Sequence, residues 1–128
     1  MTLVVDASFV VSACSAADGF DPIADELIAP HLLWSEVRST LHRSVWRGVI
    51  STQAGEHAMR RLDQAPVRPS LPSKLGATAW SIADALGWAK TYDAEYLAVA
   101  RLSDCALLSL DRRMVRGAEL LGIGVADV

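Results

Sequence analysis

At 128 residues and 52% hydrophobic content, the chain is the size of one domain and can fill a single core. A net charge of −3 argues against a generally basic nucleic-acid surface. Ten of the twelve basic residues are nevertheless arginines, whose guanidinium groups suit phosphate, so local basic patches stay open. The two cysteines, Cys14 and Cys105, lack metal-ligand spacing and read as reduced core residues. The apolar N-terminus has no basic n-region and is broken by Asp6, and no run approaches the roughly 20 apolar residues of a membrane span. A cytoplasmic protein is the expectation.

Thr2 to Val5 reads as a strand buried on both faces, because its apolar residues are consecutive rather than alternating. Asp6 marks its carboxyl end. Ser8 to Ala16 forms a helix with Phe9, Val10 and Ala13 on one side, ended by Asp18-Gly19. Pro22 fits the first turn of a second short helix reaching Ile28. Leu33, Val37, Leu41 and Val45, at spacings of four, predict a long amphipathic helix stopped at Gly48. Ser51 and Thr52 cap the next, which carries Glu56 and Arg60 at i, i+4 and runs to about Gln64. A proline-containing segment with a short strand around Val67 follows.

Lys74 to Gly87 is helical along Leu75, Ile82 and Leu86, and Thr91 caps the helix YDAEYLAVARLS. CALLSL is the clearest second buried strand and ends at Asp111; DRRMVRGAELLG is the helix after it, and IGVADV a last short strand. Strands alternating with helices indicate an α/β domain over residues 1–128, with a mainly parallel central sheet flanked by helices.

Two strands, LVVD and ALLSLD, each deliver an aspartate at the carboxyl end, the edge where open α/β sheets bind ligands. Asp6 and Asp111 are therefore expected to be neighbours, and a hard divalent cation is the usual remedy for paired carboxylates. Each alone also reads as an N-cap. Glu36 lies beside the apolar stripe of the long helix, where an isolated glutamate more often faces solvent. Asp93 sits in the first turn of its helix, where an acid also complements the dipole.

Together the segments VVDASFVV, SEVRSTL, YDAEYLAVA and LLSLDRRM resemble, in order, the four acidic motifs of the PIN-domain family, especially VapC-type toxins of bacterial toxin–antitoxin pairs. The resemblance implies that Asp6, Glu36, Asp93 and Asp111 form a metal-binding catalytic site, supported by Ser8, Ser39 and Ser109. Ser39 replaces the asparagine of many relatives, and Ser109 the commoner threonine. It further implies an Mg²⁺- or Mn²⁺-dependent endoribonuclease, an RNA substrate, a VapB-like antitoxin and a homodimer. Arg112 and Arg113, following the last acid, are candidates to hold RNA phosphates, although arginines on a helix also read as a solvated face.

Other chemistries fit less well. His31, His42 and His57 are scattered and adjoin no strand end, so a histidine acid–base pair is not supported. Trp34, Trp46, Trp80 and Trp88 read first as packing or dimer-face residues and only second as base-stacking platforms. A receiver-type phosphorylation domain needs a lysine after a late strand, whereas Lys74 and Lys90 fall in helical territory. A haloacid-dehalogenase-like phosphotransferase needs an aspartate where Ser8 stands. A catalytically silent PIN-like binding module remains the alternative, to be separated by a cleavage assay.

Overall fold

The computed structural model describes residues 1–127, so Val128, the end of the last expected strand, lies outside the described residues. Four strands form one parallel sheet: β1 (Thr2–Val5), β2 (Glu26–Ala29), β3 (Val67–Pro69) and β4 (Ala106–Leu108), in the order β3-β2-β1-β4. Its two central strands, β1 and β2, are apolar runs because both their faces are covered. Among the described residues the helices are α1 (Ala7–Ser15), α2 (Leu32–Trp46), α3 (Thr52–Asp63), α4 (Leu75–Leu86), α5 (Tyr92–Ser103) and α6 (Arg112–Leu120).

The chain steps outward from β1 to β2 to β3, then returns past β1 to lay down β4. Right-handed crossovers put helices on opposite faces when the direction reverses, which gives the sheet its two helical layers. α1, α2 and α3 pack on one another, while α5 lies against β1 and β4 and packs with α4 and α6. Ala94 and Tyr96 through Ala100 are all buried, so α5 is apolar around most of its girth. The buried residues form one cluster.

Three expectations need correction. Residues 26–29 form strand β2 rather than the end of a short helix. Leu27, Ile28 and Ala29 are a consecutive buried run between β1 and β3, and that sheet position outweighs the helical signal of Pro22. IGVADV contributes only an isolated bridge, Val125 to Leu107, because β4 is three residues long and gives it little to pair with. Cys105 is only partly buried, at the start of β4, although Cys14 is a core residue as expected.

The remaining elements follow the sequence signals in place and extent, although Thr91 makes no side-chain hydrogen bond capping α5, and Lys74 and Lys90 lie just outside the helices rather than on them. Ser51 accepts the Ala54 N–H at 3.0 Å and caps α3. Gly87 closes α4 at φ 68°, a conformation glycine adopts without the Cβ penalty. Among the described residues no helix is long and apolar enough to cross a membrane.

Candidate active site

The strand order reverses between β1 and β4, and the carboxyl ends at such a switch point border a crevice. Register makes the placement specific. Val5 pairs with Leu108, so the next residues, Asp6 and Ser109, face one another. Both are buried, 2% and 4% exposed, and the Ser109 hydroxyl donates to Asp6 Oδ2 at 2.5 Å.

Asp6 is also the N-cap of α1. Its Oδ1 accepts the Phe9 N–H at 3.1 Å and the Ser8 hydroxyl at 2.7 Å. The serines carry the connection onward: Ser8 Oγ accepts the Leu110 N–H and Ser109 Oγ the Asp111 N–H, each at 3.0 Å. The loop carrying Asp111 is thus tied to the Asp6 carboxylate through two hydroxyls. Asp111 Oδ1 caps α6 by accepting the N–H groups of Arg113 at 2.9 Å and Met114 at 3.4 Å. Both aspartates are therefore helix caps as well as neighbours, and the two readings of the sequence hold together.

Glu36 is partly buried on α2 and accepts the Tyr96 hydroxyl through Oε1 at 2.5 Å. Asp93, on the first turn of α5, pairs with the Arg113 guanidinium at 3.1 Å. Glu36, Asp93 and Arg113 line one cleft of about 400 Å³ with Ala89, Lys90 and Tyr92. The electrostatics joins the two halves of the site. Burial pushes the Asp6 carboxyl upward, against the hydrogen bonds from Ser109, Ser8 and Phe9, and the Asp111 charge adds to the rise. Burial likewise raises Glu36, opposed by Tyr96 and reinforced by Asp93, Asp6 and Glu95. Tyr96 is driven up in turn, first by burial and then by Glu36.

The structure thus gathers Asp6, Glu36, Asp93 and Asp111 at one edge, with Ser8 and Ser109 hydrogen-bonded among them. Ser39 is exposed on α2, in a surface groove with Ser35, Arg38, His42, Arg43 and Trp46, and does not join that network. Arg112 is exposed, as are the three histidines; His31, expected to adjoin no strand end, in fact follows Pro30 at the carboxyl end of β2 and stands at the N-cap position of α2, because residues 26–29 form a strand. Donor chemistry fits a hard divalent cation, since all four groups are carboxylates. Among the described residues, however, no three His, Cys, Asp or Glu side chains are close enough to hold an ion as placed. Each acid instead has a protein donor of its own.

Two participants escaped the sequence reading. Tyr96 stands three residues after Asp93, a spacing that puts both on one helical face, so YDAEY carried a signal for it. Trp88 lies beneath Arg113, with the guanidinium carbon 4.2 Å from its ring centroid. Nothing local announces that contact, because it joins the α4–α5 loop to α6.

Comparison with known proteins bears on the family and the fold. A family model described as PIN domain matches residues 3–120. The chain is 31% identical over 114 residues to a VapC ribonuclease of Mycobacterium bovis and to ribonuclease VapC9 of Mycobacterium tuberculosis, covering 88% of this chain and 87% of each relative. The crystal structure of a Pyrobaculum aerophilum protein superposes with a TM-score of 0.77 at 23% identity, over 100% of this chain and 90% of that one, a likeness of fold.

Proposed function

Because the chain belongs to the PIN-domain family, we propose that it is a divalent-metal-dependent endoribonuclease, the toxin of a type II toxin–antitoxin pair. The observation that carries this reading is the burial of Asp6 at the β1–β4 switch point, hydrogen-bonded through Ser109 to the segment that delivers Asp111. Asp6, Glu36, Asp93 and Asp111 are the residues that would hold Mg²⁺ or Mn²⁺. A bound cation supplies charge neutralisation at the phosphodiester and a polarised water for in-line attack. The chain's own work is positional. Ser8 and Ser109 hold Asp6 and the Asp111 loop together, Tyr96 orients Glu36, and α5 brings Asp93 into the cleft with Glu36.

Arg112 and Arg113 are proposed to hold flanking RNA phosphates, and Ser39, exposed three residues beyond Glu36, bears on substrate positioning rather than on metal. The VapC naming of the relatives supports a VapB-like antitoxin as partner; a homodimer and a cytoplasmic location complete the proposal. The alternative is a catalytically silent binding module on the same fold.

Cleavage decides between them. Purified protein incubated with total RNA, with and without Mg²⁺, should produce new 5′ ends only with the metal. Asp6→Asn and Asp111→Asn should each lower the rate on the order of a hundredfold or more while leaving the fold intact. Asp104→Asn should be neutral, because Asp104 sits at φ 52°, away from these carboxylates, in a conformation asparagine tolerates. Full activity in either of the first two variants would remove Asp6 and Asp111 from the chemistry.

A further inference from the structure

We propose that Arg113 is the resident counter-cation of Asp93, held in place by Trp88, and that a divalent cation must displace it to engage that carboxylate. The inference rests on reading the four acids as a cation site, and it assigns that site a built-in competitor.

Arg113 touches two of the four acids at once. Its backbone N–H donates to Asp111 Oδ1 at 2.9 Å, and its guanidinium donates to Asp93 Oδ2 at 3.1 Å. An exposed ion pair alone would be weak, because two long side chains must be ordered in solvent to make it. Here the ordering is supplied from below. The guanidinium lies over the Trp88 ring, which adds a cation–π attraction and restricts its rotamers. Trp88 is itself seated on α6. Gly117, four residues after Arg113 on the same helical face, leaves room for it, since a Cβ there would come within 3.0–3.1 Å of the indole and of Leu86.

The cleft therefore carries its own cation at the acid that metal would need. Lys90 lines the same cleft, but the ion pair to Asp93 is made by Arg113. A cation arriving at Asp93 therefore meets a competitor already in place. Metal and Arg113 compete for this carboxylate, and the metal-free protein is spared a fully unpaired acidic cluster. Release of Arg113 also frees the side chain proposed above to meet phosphate, so one displacement serves both ends of the site.

Mn²⁺ binding, measured by calorimetry on the intact protein without RNA, tests this directly. Arg113→Ala should bind Mn²⁺ about three- to tenfold more tightly than wild type at low ionic strength, the range expected when an ion pair and a stack no longer compete. The advantage should shrink in 0.5 M KCl, where salt already screens the pair. Arg113→Lys, which keeps the charge but loses the planar stack, should fall between the two. Arg116→Ala removes the same charge from the same helix three residues on and should tighten Mn²⁺ binding by no more than about twofold, because only a through-solvent attraction is lost with it and no ion pair to the four acids. Wild-type binding with unchanged or weaker affinity in Arg113→Ala would overturn the proposal while leaving the metal site standing. Equal tightening in Arg116→Ala would overturn it too, by reducing the effect to net charge. No Mn²⁺ uptake by wild type would remove the cation site and this competitor together.

Discussion

The Ser109 hydroxyl donates to Asp6 Oδ2 and accepts the Asp111 N–H, so a single side-chain oxygen fixes the distance between two acids far apart in sequence. Position 109 is 4% exposed, leaving little water to replace a lost partner. Ser109→Ala should therefore destabilise the protein by about 1–3 kcal/mol in urea denaturation, the cost of stranding buried polar groups. Ser109→Thr keeps the hydroxyl and should recover most of that loss. Equal stability of the alanine variant would mean that the hydroxyl does not hold the loop. At this scale the sequence was legible where strand ends deliver acids, since an apolar run ending in Asp is visible within a few residues. It was silent where a side chain is defined by a partner elsewhere in the fold: Glu36 looked like a solvated glutamate because its donor, Tyr96, lies sixty residues on.

Among the elements, α1 shows how a helix end can be completed by another helix. Its terminal carbonyls need donors, and Arg61, in the last turn of α3, donates to the Cys14 and Ala16 carbonyl oxygens. The guanidinium packs against Gly19 so closely that a Cβ there would collide with it, and Gly19 also holds φ 55°. From sequence Arg61 was one arginine among ten. Its cap crosses from one helix to another, and no local pattern encodes it. Arg61→Ala should cost about 1–3 kcal/mol by unsatisfying charge-assisted hydrogen bonds, and Gly19→Ala should destabilise through both backbone strain and the displaced guanidinium. If Gly19→Ala in the Arg61→Ala background costs as much as it does alone, the two residues do not act together. β2 was misread for a related reason. Four residues between Asp25 and Pro30 are too few to display a period, and only the neighbouring strands β1 and β3 make them a strand.

For the whole molecule, the parallel sheet that brings the acids together also sets their cost. Asp6 is buried at the carboxyl end of β1, and its carboxyl is raised by that burial with the Asp111 charge adding to it. A carboxyl whose folded pKa lies above its unfolded value binds more protons in the native state. Its contribution to stability is therefore lost as pH rises from the unfolded pKa through the folded one, and at neutral pH the ionised group weakens the metal-free fold. Asp6→Asn removes that charge and keeps an oxygen to cap α1, while the Ser109 hydroxyl, which can no longer donate to the second position, turns to accept the new amide N–H. In EDTA at pH 7 the variant should melt at or above the wild-type temperature. Mg²⁺ should reverse the order. A ligand that binds only the native state stabilises it by about 2.7 kcal/mol at a hundredfold excess over its dissociation constant, and the variant, lacking one carboxylate, should gain much less. A residue that served only as a helix cap would respond differently, since any change in capping shifts stability by the same amount with and without metal. The crossing of the two melting responses is therefore specific to Asp6 as a ligand, and parallel responses to Mg²⁺ would reduce it to the N-cap of α1.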